Sequence, residues 1–302
     1  MIDINRILCP VDFFPASKKA VNYAAGLAEI YGAKIQLLHA VTPVALAAYE
    51  FPVDVAAIAK TMREASSREM EKLASRLKAR GLSVETEVRV GTIHDAVRRA
   101  ISRFKPDLIA MGTHGRTGID RWFLGSVTEW WMRHSPVPVL AISAKERLRN
   151  PAFRRILVTT DLSDGTADAL DYAFSIAQEN ESQITLLHVV HDIGADVSTK
   201  YRDSVVRGVE GKLEKLIPAG AWDWCDIRTR VEIGHPYRVI ERTLEKDKPD
   251  LLVMNIHGKG MLDRALLGST AERVVRSAKC PVLLIPPMKK VKAARKSRRR
   301  AA

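Results

Sequence analysis

Two stretches of the chain place glycines and a helix start where an anion could sit. In the first, Gly112-Thr-His-Gly115 is followed nine residues later by Gly125-Ser126 and then by Val127-Thr128-Glu129, which open a helix. Glycine lets backbone approach a ligand that a Cβ would exclude. A Gly-Ser pair at a helix start offers free N–H groups, a hydroxyl and the positive end of the helix dipole. Arg116 can add a charge-assisted contact. The chemistry is anion binding, most simply of phosphate. A glycine pair can also serve only the geometry of its own turn, but the spacing returns, with Asn255 in place of the first glycine, as Asn255-Ile-His-Gly258 and Gly268-Ser269. The motif is not a P-loop, because no glycine-rich run ends in Gly-Lys-Ser/Thr. Nor is it the dinucleotide fingerprint, which belongs after the first strand, where this chain has Cys9-Pro-Val-Asp12.

The recurrence extends along the whole chain. Arg6-Ile-Leu-Cys-Pro-Val-Asp12 is echoed by Arg155-Ile-Leu-Val-Thr-Thr-Asp161, and Ile35–Val41 by Ile184–Val190, both at an offset of 149. From Gly91 and Gly234 onward the offset is 143, so the second copy is six residues shorter in its middle. Order is preserved and the period is far too long for a solenoid, so one complete domain is duplicated in tandem. The boundaries expected are 1–146 and 154–288, with a charged linker at 147–153 and a basic tail at 289–302.

Within each copy the elements alternate. Short aliphatic runs (Ile7–Val11, Ile35–Val41, Leu108–Met111 and Val137–Ile142) lack polar–apolar alternation, as expected of strands buried on both faces of a parallel sheet. After Pro15, Val21, Ala24, Ala25, Ala28 and Tyr31 recur at helical spacing; Ala169, Leu170, Ala173 and Phe174 do so after a candidate cap at Ser163-Asp164. Ala56–Ala79 reads as a longer amphipathic helix stopping at Gly81. The fold class is α/β: two tandem doubly wound domains, each a five-stranded parallel sheet with helices on both faces. Ligands of such sheets bind beyond the carboxyl ends of the strands, where the strand order switches. The last strands, Val137–Ile142 and Val282–Ile285, would be apolar edges in isolated domains. Unpaired edges are a liability, so the halves, or two chains, are expected to pair through them.

Composition narrows the function classes. Of 302 residues, 46% are hydrophobic and 27% charged, ordinary for a globular protein. No membrane span or secretory leader is legible, and three distant cysteines make neither a disulfide framework nor a zinc site. The expected location is cytoplasmic. The net charge of +13 suggests nucleic acid until it is located: the tail from Lys289 onward holds eight basic residues and no acid, leaving 13 − 8 = +5 for the rest. The tail reads as disordered, either a solubilising extension or a weak contact for nucleic acid or an anionic surface.

Gly-x2-Gly-x9-Gly-Ser after an apolar strand ending in Met111, with Asp12 closing the first strand, resembles the nucleotide-binding motif of universal stress proteins. The resemblance covers both halves. It implies flavodoxin-like domains that bind ATP, alone or with magnesium on its phosphates, and that dimerise through their last strands. In a tandem chain that dimer can form internally, and a homodimer of chains stays open. Carried over residue by residue, Pro10, Asp12 and Ala40 would lie near the base. Met111, Gly112, Gly115 and Arg116 would line ribose and phosphates, closed by Gly125, Ser126, Val127 and Thr128. The second copy offers Asp161, Val189, Met254, Gly258, Lys259, Gly268, Ser269 and Thr270. It departs from the pattern at Asn255 and at Thr160, so the first copy is the better nucleotide site.

Other candidates carry less. His114 and His257 have no second ligand at helical spacing and read as loop hydrogen-bonding residues, as do His39 and His188 at strand ends. Asp12 and Asp161 can bind a base amine or a cation, or cap the following helix. Trp122, Trp130 and Trp131 flank the first motif and have no aromatic counterparts in the second; one of the adjacent pair is expected to cover a partner surface. No nucleophile–base–acid trio, carboxylate pair or metal quartet is legible. The reading is therefore an ATP-binding regulator of the stress response, acting through nucleotide-dependent conformation or oligomerisation. The alternatives are a slow ATPase or phosphotransferase, and an interaction scaffold that binds no nucleotide.

Overall fold

The computed structural model describes residues 2–42, 54–113, 124–146, 153–163, 165–191, 194, 198–256 and 268–287. The first half runs β1 (Arg6–Pro10), α1 (Pro15–Tyr31), β2 (Lys34–Val41), α2 (Val55–Lys78), β3 (Val84–Val90), α3 (Ile93–Phe104), β4 (Leu108–Gly112), α4 (Ser126–His134) and β5 (Val139–Ile142). The second repeats it with β6 (Arg155–Thr160), α5 (Thr166–Asn180), β7 (Gln183–Val190), α6 (Thr199–Glu214), β8 (Ile227–Ile233), α7 (Pro236–Asp247), β9 (Leu251–Asn255), α8 (Ser269–Ser277) and β10 (Val282–Ile285). A 3-10 turn at Ala219–Asp223 precedes β8. Among the described residues no helix is long and apolar enough to cross a membrane.

All ten strands form one sheet in the order β3-β2-β1-β4-β5-β10-β9-β6-β7-β8. Pairing is parallel within each half and antiparallel only between β5 and β10, where Leu140 faces Leu283. Both strands of that seam are fully buried. The halves thus pair through their last strands within one chain, which removes two apolar edges. The strand expected from Val137 starts two residues later, after Pro138, whose carbonyl instead accepts from Ile109 N at 3.0 Å.

Local chemistry explains the helices. Pro15 presets the first turn of α1, and Gly32, at φ 64°, ends it by returning its N–H to Ala28 O. Asp54 Oδ1 accepts from Ala56 N and Ala57 N to start α2. The expected inward residues Val21, Ala24, Ala25 and Ala28 are buried, as are Ala169, Leu170, Ala173 and Phe174. One core on each face of the sheet is continuous across the halves. Behind β5 the chain is anchored to α1: Lys19 Nζ donates to Ala144 O at 2.6 Å, and Tyr23 Oη to the buried Glu146 carboxylate at 3.1 Å. Between the halves, Ile2 N donates to Ser175 Oγ at 2.7 Å.

Helices α4 and α8 meet across the seam with reciprocal charges. Arg133 lies 2.6 Å from Glu129 on its own helix and 3.6 Å from Glu272 on the other. Arg276 pairs with Glu272 and reaches to 3.9 Å from Glu129. Equivalent residues of the two copies thus alternate in sign around the pseudo-twofold.

Candidate functional site

The strand order switches between β1 and β4, which follow each other in the sheet but not in the chain. A cleft of about 540 Å³ opens there, at the carboxyl ends of β1, β2 and β4. That is within the roughly 300–1,000 Å³ of small-molecule clefts. Pro10, Asp12, Ala40, Met111, Gly112, Gly125, Ser126, Val127 and Thr128 all line it. Gly115 and Arg116 lie outside the described residues, as do Gly258, Lys259, His114, His257 and Trp122.

The first turn of α4 forms one wall. Gly125 N donates to Thr113 O at 2.7 Å, and Thr113 N to Ile142 O at 2.9 Å, which hangs the helix start on β4 and β5. Thr128 Oγ1 donates to Gly112 O at 2.6 Å and fixes the turn against the strand end. Among the described residues no side chain caps α4, so its first N–H groups and dipole are left for a ligand of negative charge.

The opposite wall is the β1–α1 loop. Asp12 Oδ1 accepts from Phe14 N at 3.0 Å, and Asp161 Oδ1 from Ser163 N at 3.0 Å. Both aspartates hold a turn two residues on. Phe13 and Leu162 occupy the left-handed region at φ 67° and 60°. Strain shared by both copies belongs to the loop design and not to one ligand site. His39 Nδ1 hydrogen-bonds Val11 O at 2.6 Å and its ring packs on Phe13, 4.7 Å between centroids. His188 makes the same bond to Thr160 O at 2.8 Å. His39 also lines the cleft. Burial, then the Asp12 carboxylate, pushes the Cys9 thiol up, so β1 carries no reactive thiolate.

The glycine at the end of β4 has a task beyond lining the cleft. A Cβ on Gly112 would lie 2.6 Å from the carbonyl carbon of Ala16 and 2.7 Å from Ser17 N. Its bareness lets the strand end, which also lines the cleft, meet the first turn of α1. The second copy solves the same contact in reverse. Asn255 stands where Gly112 does, and Gly165 stands where Ala16 does. In the orientation that satisfies its amide, Asn255 donates to Gly165 O at 3.1 Å and accepts from Thr166 N at 3.2 Å. The α5 cap therefore comes from β9. Ser163 contributes only its carbonyl, to Thr166 N at 3.0 Å, and Asp164 lies outside the described residues.

Other differences follow. Thr160, where the first copy has Val11, shares a 2.6 Å hydrogen bond with Thr166 and accepts from Leu162 N at 2.9 Å. Ala271 stands in place of Thr128, so the clamp on the strand-end carbonyl is missing. Gly268 N still donates to Ile256 O at 3.0 Å, and no described side chain caps α8. Asp161, Val189, Met254, Gly268, Ser269 and Thr270 thus sit on an equivalent scaffold, with Met254 buried and the strand-end position filled by an amide.

Several cleft residues were missed in the sequence: Phe13, Phe14, Thr42 and Ile93, with Met62 and Ser66 from α2. The apolar pair Phe13-Phe14 straight after Asp12 was a readable signal. Nothing local says which face of α2 turns to the sheet end. The tryptophans also resolve differently. Trp131 is buried, and Trp130 is half-buried between His94 and His134 of its own half, with centroids 4.9 and 4.3 Å away. Among the described residues no group of three or more His, Cys, Asp or Glu side chains could hold a metal ion.

The model of the universal stress protein family matches residues 3–143 and again 152–286. A universal stress protein of Mycolicibacterium smegmatis is 27% identical over 296 residues, 93% of this chain and 97% of that protein. A second, from Methanocaldococcus jannaschii, is 33% identical over 144 residues, 46% of this chain and 85% of its own length. The crystal structure of a universal stress protein from Archaeoglobus fulgidus superposes with a TM-score of 0.69 at 22% identity, covering 94% of this chain and 96% of that one.

Proposed function

The chain belongs to the universal stress protein family, and from that premise we propose that its first half binds one adenine nucleotide, ATP in the first instance, as a regulator. The observation that carries this reading is the cleft at the β1/β4 switch, walled on one side by the uncapped start of α4. In this reading the triphosphate lies on the first turn of α4, where N–H groups and dipole favour negative charge without a dedicated basic cluster. The base lies toward Pro10, Asp12 and Ala40. Asp12 has spent Oδ1 on its turn and keeps its other oxygen for an amine. Magnesium would be carried by the phosphates. The second half is the weaker candidate, because the Asn255 amide and the Thr160–Thr166 pair occupy the corresponding strand end.

The output in this reading is a change of shape. Helix α4 begins in the cleft at Ser126 and carries Glu129 and Arg133 to the seam, where they meet Arg276 and Glu272 of the other half. A ligand that moves the start of α4 therefore acts on the contact between halves. The buried free thiols of Cys9, Cys225 and Cys280 suit a reducing compartment such as the cytoplasm.

The test is to purify the protein gently, denature it and identify any released nucleotide by mass and absorbance, adding ATP in a titration if none is released. An adenine nucleotide near one per chain supports the reading. A protein that releases none and takes up none when offered ATP contradicts it.

A further inference from the structure

The ten-stranded sheet still has two ends, β3 and β8, and their charges are inverse copies of each other. Residues 85–89 read Glu-Thr-Glu-Val-Arg; the equivalent residues 228–232 read Arg-Thr-Arg-Val-Glu. Equivalent positions here carry opposite sign, as Asp95 and Arg98 of α3 also do against Arg238 and Glu241 of α7.

The backbone says which groups face outward. In β3, Ser83 O accepts from Ile35 N and Gly91 N donates to Val41 O, so alternate residues from Ser83 through Glu85, Glu87 and Arg89 turn their polar groups to β2. Those of Val84, Thr86 and Val88 point away from the sheet. In β8, Asp226 O accepts from Ile184 N and Gly234 N donates to Val190 O, leaving Ile227, Thr229 and Val231 outward.

We infer that this chain self-associates head-to-tail, β3 of one copy adding antiparallel to β8 of the next. The two strands already run antiparallel within one chain, so a copy displaced along the sheet presents them in that sense. One register opposes Val84 to Val231, Thr86 to Thr229 and Val88 to Ile227, joining outward N–H and C=O groups on both sides. In the same register Glu85 faces Arg230, Glu87 faces Arg228, and Arg89 faces Asp226, every pair opposite in sign. The faces agree too. Val84 and Ile227 are buried in the core on one side of the sheet, and Val88 and Val231 pack against it. All the facing charges then lie on the other side.

With threonine set opposite threonine, like edges oppose like charges. A β3–β3 pair centred on Thr86 would oppose Glu85 to Glu87 twice, and a β8–β8 pair centred on Thr229 would oppose Arg228 to Arg230 twice. Charged edge strands ordinarily prevent sheet extension; here the unlike edges join three opposite-charge pairs, against two for β3–β3 centred on Val88 or β8–β8 centred on Val231. Internal pairs of Arg89 with Glu87 and Arg228 with Asp226 would join the same row, while Glu85 would share its charge with Lys34 and Arg230 with Asp247. Such contacts are heterologous and generate a ring or an open filament.

The experiment is sedimentation velocity of the full chain over a concentration series, at about 0.02 M and about 0.5 M salt. The inference expects mass to rise beyond two chains at low salt and to fall back at high salt. Arg228→Glu/Arg230→Glu should remain a single chain, and adding Glu85→Arg/Glu87→Arg to it should restore assembly. Thr86→Pro and Thr229→Pro each delete one outward N–H and leave the inner ladder intact. Each alone should stay single, and an equal mixture should give dimers and nothing larger. A single chain at every concentration, association unmoved by charge reversal, or proline variants that do not pair on mixing would overturn the inference.

Discussion

Asn255 reaches from the end of β9 to Gly165 at the start of α5, donating to its carbonyl at 3.1 Å and accepting from the next residue at 3.2 Å. At the matching place in the first half, Gly112 has no side chain and Ala16 has a methyl, and the backbones close directly. The two halves thus hold one strand–helix contact with exchanged roles, and only the glycine version leaves the end of β4 bare at the cleft.

Exchanging the pair is a test of that relationship. Gly112→Asn alone forces a side chain into α1 and should cost about 1–3 kcal/mol. Adding Ala16→Gly should return most of it, as read by urea denaturation, because the amide can then cap α1 as Asn255 caps α5. The two changes would be coupled, not additive. Equal losses for single and double variants would contradict the exchange.

Alkali should destabilise the fold through its buried thiols and phenols. Burial pushes Cys225 from 9.0 up to about 11, Cys280 to about 12 and Tyr172 to about 12. Each group is neutral when protonated, and the unfolded form ionises first. The stabilising contribution is therefore complete below about pH 9 and is lost as pH rises toward 11 and 12. Urea midpoints should fall between about pH 8 and about pH 11, and thiol labelling at about pH 8 should wait on unfolding. A midpoint that rises over this range, or rapid labelling of the native protein, would contradict these burial assignments.

The tail from Lys289 onward supplies eight cations. If it contacts DNA by charge alone, retention on DNA should fall with salt, with a log–log slope no steeper than about −7 for at most eight phosphates. Deleting 289–302 should abolish it. Retention that survives the deletion would assign the contact to another surface.

Much of the architecture was legible because it rests on local patterns: constant offsets between repeats, aliphatic strands, and an apolar last strand in each half that demands a partner. The β5–β10 seam follows from that demand. What escaped depends on contacts between distant elements. Asn255 invites attention as a lost glycine, but its meaning lies in Gly165, which precedes it by ninety residues and compensates only in space. The same bond gives Thr166 N, at the start of α5, a distant partner beside Ser163 O. Met62 and Ser66 reach the cleft from α2 because of how that helix is turned, which no spacing within it records. Gly112 lines the cleft, and its close approach to α1 is a second constraint that only the packed helix reveals.

The central claim is one nucleotide site per chain, in the half whose strand end is bare. Calorimetric titration of the intact chain with ATP tests it most directly. The account predicts saturation at one ATP per chain, with binding lost in Ala16→Gly/Gly112→Asn and retained in Asn255→Ala. Saturation at two per chain, or binding that the Gly112 exchange leaves untouched, would contradict it.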